Sequence, residues 1–113
     1  MRQEFFKEIT GIDTGNPQLD ETIFNYLVHR LPPGSFTQAL LENDLFAAAS
    51  KADHVNIEIL GFAARNVAMN MPLGSCGSRK AVKAWMNNLD GSQAAYAEWY
   101  FEQATMMKLE KFD

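Results

Sequence analysis

The residues with the most specific chemistry lie in two short loops. The stretch Gly74-Ser75-Cys76-Gly77-Ser78-Arg79-Lys80 carries two glycines and runs into a segment with helical spacing. Loop amides, the positive end of a helix, the Ser78 hydroxyl and the cations Arg79 and Lys80 would together suit a phosphate. It is not a Walker A loop, because the glycine spacing and the Lys-Ser/Thr pair are missing. Its counterpart, Pro33-Gly34-Ser35-Phe36-Thr37, also puts Gly and Ser at a helix start, with Thr37 in the first turn and Arg30 just upstream. Ordinary helix–helix connections with serine caps share this composition, so the two loops supply candidates and not yet a site.

Catalytic constellations are thin. His29 and His54 are the sole histidines, and neither sits in a two-ligand spacing such as His-Glu-x-x-His. One cysteine, Cys76, excludes an internal disulfide and any zinc site built on two or more cysteines. A nucleophile–base pair of Cys76 with either histidine is weaker than the plainer reading, a free thiol and surface histidines. Glu42 and Asp44 are two apart, so on one helix they point in different directions. We therefore expect a protein that binds rather than transforms, with no metal and no cofactor. Tyr96, Trp99, Tyr100 and Phe101 could stack nucleobases, but such residues more often fill a core or a subunit contact.

These residues must be positioned by helices. The 113-residue chain is long enough for one domain, which would bury roughly two-thirds of its unfolded surface. Apolar spacing predicts a short helix over 2–9 with Phe5, Phe6 and Ile9 inward. A second runs over about 18–30, with Leu19, Ile23, Tyr26 and Leu27 on one side and Asp20 and Glu21 in its first turn. Ser35 should cap a helix over about 36–51, Asp53 one over about 54–70, and Ser78 one over about 79–88 bearing Val82 and Trp85. Asp90-Gly91 reads as a turn before a last helix over about 92–111. The 54–70 segment is apolar nearly all round, which places it at the centre of the fold or at a subunit contact. No stretch alternates long enough for a sheet. The expectation is an all-α, compact domain over 1–113 of about four to five helices, assembling as a homo-oligomer.

Composition excludes some partners. A net charge of −4 and a pI near 5.1 argue against a duplex-DNA binder, whose affinity rests on a basic surface. They leave room for a small anion held by a few arginines. No apolar run approaches the about 18 residues that span a membrane, and the first residues lack a signal core. A lone thiol suits a reducing cytoplasm, the expected location.

Two stretches carry a family resemblance. Residues 32–45 follow P-x-G-x-F-x-x-A-L-L-x-N-D-L, and after Asn70 the chain runs P-x-G-x-x-G-S-x-x-x-V-x-x-W to Trp85. Over about 31–85 this resembles a family of small phage proteins that includes the sponge countering cyclic-oligonucleotide (CBASS) defence. The resemblance implies a helical homo-hexamer in the host bacterial cytoplasm that captures cyclic di- and trinucleotides without cleaving them. It also implies sites between protomers formed by the two loops, here Pro33, Gly34, Ser35 and Thr37 with Ser78, Arg79 and Lys80, to which the loop reading adds Arg30. Tyr26 is the candidate for base stacking. The sequence departs from the family in its long aromatic tail and in Arg79-Lys80, where Pro-Glu is the family pattern. The competing expectation is an acidic helical phage protein that inhibits a host protein and takes no small ligand. Its mark would be an exposed apolar patch without a phosphate-compatible pocket.

Overall fold

The computed structural model describes residues 3–87 and 91–112. They form a 3-10 turn, Gln3–Phe5, followed by α1 (Phe6–Thr10), α2 (Pro17–His29), α3 (Ser35–Leu41), α4 (Leu45–Lys51), α5 (His54–Asn70), α6 (Arg79–Asn87) and α7 (Ser92–Phe112). No strand occurs among the described residues. Arg2, Asn88 and Asp90, which belonged to the expected first helix, the end of the 79–88 helix and the turn, lie outside the described residues.

Helix α2 is the centre of the fold. Asn16 caps it by accepting a hydrogen bond from the Gln18 amide, and Pro17 occupies the first turn, where its missing N–H costs nothing. Leu19, Ile23, Tyr26 and Leu27 are buried as their spacing predicts, and Phe24 and Val28 are buried too. Phe24 meets Phe6 of α1 and Tyr100 of α7 edge-on, each at 5.4 Å between ring centroids. Tyr26 stacks on Trp85 of α6 at 6.3 Å, and the Trp85 indole N–H donates to the Tyr26 carbonyl. These aromatic contacts tie α1, α6 and α7 to α2.

The expected 36–51 helix is two helices. Asn43 adopts a left-handed φ of 64°, which asparagine tolerates better than most residues. Asp44 then caps α4 by accepting from the Ala47 amide. At the start of α3, Gly34 takes the cap position and Ser35 is the first helical residue, without the capping bond expected of it. Asp53 and Ser78 do cap: their side chains accept from the Asn56 and Ala81 amides at 2.8 and 3.0 Å.

Helix α5 is peripheral, so of the two positions its all-round apolarity allowed, the centre of the fold is not the one it takes. Ala63 and Val67 are its buried residues, while Val55, Ile57, Phe62 and Met69 are exposed. Asparagines do much of the docking. Asn66 donates to the Gly11 carbonyl and accepts from the Asp13 amide, and Asn56 accepts from Asn16. Gly11 is required here: its φ is 81°, and a Cβ would stand 2.7 Å from Asn70 Oδ1. A polar clamp of this kind fixes a helix without covering its apolar faces. None of the described helices is long and apolar enough to cross a membrane.

Candidate functional site

The loop before α6 is held to the end of α3 from below. The Gly77 amide donates to the Leu41 carbonyl at 2.7 Å. Ser75 is fully buried; its carbonyl accepts the Tyr26 hydroxyl at 2.5 Å, and its own hydroxyl donates to the Pro72 carbonyl. This anchorage sets α6 across α3, so the first turn of α6 faces the last turn of α3 and the start of α4.

Between these three helices runs a groove of 470 Å³. Arg79 and Lys83 line it from α6, Ser35 and Gln38 from α3, Glu42 from the α3 C-cap and Lys51 from α4, with Asp44 at the α4 cap. Its size is that of a small-molecule site. Three cations face two carboxylates. The Glu42 side chain, 11% exposed, accepts from Gln38 Nε2 at 3.1 Å and lies 3.9 Å from Arg79 Nε. Arg79 itself is 84% exposed, so the pair is a solvated one and its guanidinium remains available to an anion.

The sequence candidates separate into three groups. Ser35 and Arg79 meet in this groove. Gly34, Ser35 and Thr37 line a neighbouring groove between α2 and α3, so Ser35 borders both. Arg30, Pro33, Ser78 and Lys80 line neither. Arg30 is exposed in a left-handed conformation at the end of α2, Pro33 is buried, Ser78 is committed to its cap, and Lys80 points about 100° around the helix from Arg79. With seven residues, α3 gives the Gly34-Ser35 loop only a short helix start.

Tyr26 is a correction. It is fully buried, with its hydroxyl spent on Ser75 and its ring on Trp85, so it is a core residue and presents no face to a ligand base. Burial, with Cys76 and Glu42 nearby, drives its phenol pKa well above the ordinary value. Burial likewise pushes the Cys76 thiol up, which disfavours the reactive thiolate. Tyr100 is also core, while Trp99 remains partly exposed.

Lys83, Lys51 and Gln38 were not singled out from the sequence, and Glu42 and Asp44, read there as pointing in different directions on one helix, both line this groove. The i, i+4 spacing of Arg79 and Lys83 does carry a signal, since it puts two cations on one helix face. Asp44 and Lys51 reach the groove through the kink at Asn43, which local pattern does not reveal. No protein-family model, curated protein or solved structure matches the chain.

Proposed function

We propose that this protein is a binding protein that captures a small phosphate-bearing ligand in the groove between α3, α4 and α6 and releases it unchanged. The observation that carries the reading is the convergence of Ser35 and Arg79, from two separate loops, with Lys51 and Lys83 on one cavity. Guanidinium and ammonium groups supply charge-assisted hydrogen bonds to phosphate oxygens. The resemblance over 31–85 narrows the ligand class to cyclic di- and trinucleotides, and a phage sponge is the role that follows. Anti-defence sequestration requires capture and retention; it requires no general base.

The homo-oligomer implied by the resemblance gains support from unburied apolar side chains. Phe46 is 93% and Leu73 100% exposed, and Phe62 and Met69 are largely so. Such a surface is usual at protein contacts. The same observation favours the second reading, a host protein as the partner of α4 and α5.

The test is thermal unfolding of the protein with a panel of cyclic di- and trinucleotides, followed by mass analysis of the ligand recovered. A ligand at 100 times its Kd adds about 2.7 kcal/mol. With an unfolding entropy of roughly 0.24 kcal/mol/K for a chain of this length, that raises Tm by about 11 °C. Unmodified ligand and a shift of that order support capture. A flat panel turns the reading toward a protein partner.

A further inference from the structure

Helix α5 docks by one side only. With about 3.6 residues per turn, Ala63 and Val67 mark the inward side, and Val55, Glu58, Phe62, Arg65 and Met69 run along the outer one, all exposed. A cleft of 390 Å³ beside Ala64 and Ala68 carries the apolar surface on to Leu45 of α4. Val55, Ile57, Phe62, Met69 and Leu45 are between 44% and 70% exposed. At about 150 Å² for a large side chain, they present roughly 400 Å² of apolar surface. A protein contact is about 57% apolar, so this corresponds to about 700 Å² per protomer, close to the roughly 800 Å² that each partner gives a stable interface. A patch of this size is commonly a binding surface.

The order of residues along the face identifies what covers it. Glu58 and Arg65 are two helical turns apart on one stripe, and neither makes an ion pair among the described residues. Gly61 lies between them, exposed, with nothing within 4 Å of the position a Cβ would take. A glycine inside a helix costs about 1 kcal/mol against alanine, and no neighbour in the chain crowds this one. Opposite charges thus flank a gap with Phe62 beside it.

We propose that α5 pairs antiparallel with α5 of a second copy of this chain, across a two-fold axis between Gly61 and Phe62. The inference deepens the homo-oligomer of the reading above and rests on that part of it; the residues of the α5 face, and not the resemblance over 31–85, carry it. The axis sets Glu58 of each protomer against Arg65 of the other, giving two ion pairs. It also sets Phe62 against Gly61 and Val55 against Ala68, large against small. A parallel pairing would instead oppose Glu58 to Glu58 and Arg65 to Arg65. Glu58 and Arg65 cancel on this face of a chain whose net charge is −4, so two copies meet here without like-charge repulsion.

The test is sedimentation equilibrium of the full chain over a range of concentrations. Wild type is expected at an even multiple of 12.7 kDa. Glu58→Arg and Arg65→Glu each turn both ion pairs into like-charge contacts, and each should weaken the association roughly tenfold or more. The double variant Glu58→Arg, Arg65→Glu restores opposite charges and should regain near wild-type association. Gly61→Gln should weaken it too, with circular dichroism unchanged, because the monomer has room for the side chain. A monomeric wild type would overturn the pairing and the homo-oligomer together, leaving the α5 face to another protein; phosphate capture, read by the ligand panel, would stand. An oligomer of odd number, one that the single variants leave intact, or a double variant no better than the singles would overturn the α5 contact while leaving the homo-oligomer standing.

Discussion

Replacing Tyr26 by phenylalanine separates a structural role from a ligand contact. The ring and its stack on Trp85 survive the change; the hydroxyl that donates to the Ser75 carbonyl at 2.5 Å is lost. Ser75 is fully buried and water does not replace the donor, so the carbonyl is left unsatisfied. A buried acceptor stranded in this way costs about 1–3 kcal/mol. At roughly 0.24 kcal/mol/K for the unfolding entropy, Tm should fall by about 4–12 °C. The same bond anchors the loop that delivers Arg79, so hydrogen exchange of the 72–78 amides should quicken as well. The assay is thermal unfolding by circular dichroism, paired with ligand affinity measured well below the lower Tm. The expected result is a clear stability loss with affinity within about twofold of wild type, a tenfold change being 1.4 kcal/mol. Unchanged Tm together with lost affinity would refute the assignment of Tyr26 to the core and restore it as a ligand contact.

Three further outcomes are expected. Glu42→Gln removes a carboxylate from the basic groove and frees Arg79, so anion affinity should rise about three- to tenfold at low salt and the gain should shrink at high salt, as titration in 20 and 300 mM salt would read. Asn43→Val forces a β-branched residue into a left-handed conformation and should cost about 1–2 kcal/mol in denaturant unfolding, whereas Asn43→Gly should be close to neutral. Alkaline pH should unfold the protein cooperatively. Burial, with Glu4 adding, pushes Tyr100 up to about 12, and Tyr26 and Tyr96 are raised as well. The folded state therefore keeps neutral phenols that the unfolded chain ionises near pH 10, so stability holds below that value and falls as pH climbs from there towards the folded-state values, which a pH series of unfolding curves would show.

Much of the architecture was legible because its signals are local. The 3–4 spacing of Leu19, Ile23, Tyr26 and Leu27 gives α2, and Asp53 and Ser78 cap where their types predict. The break in 36–51 was missed because the apolar pattern runs through it, while Asn43 and Asp44 together supply a left-handed turn and a new cap. For α5 the apolar pattern left two positions open, the centre of the fold or a subunit contact, and could not choose between them. Its apolar residues surround the helix, but asparagine bonds from Asn56 and Asn66 to a loop some forty to fifty-five residues away decide how it docks. The candidate site was half legible. Ser35 and Arg79 were named from loop chemistry, yet their meeting depends on the Gly77–Leu41 hydrogen bond and the buried Ser75 anchor, both tertiary. Tyr26 was assigned to a ligand although its spacing already placed it on the apolar face of α2.

The most direct test of ligand capture is titration calorimetry of the wild-type protein and an Arg79→Ala, Lys83→Ala double variant with the best-bound cyclic dinucleotide, at two salt concentrations. The account predicts that the double variant folds as wild type, loses at least tenfold in affinity and shows a shallower salt dependence, because both substituted cations face the groove. Wild-type affinity and salt dependence in the double variant would contradict it and place the binding surface elsewhere on the molecule.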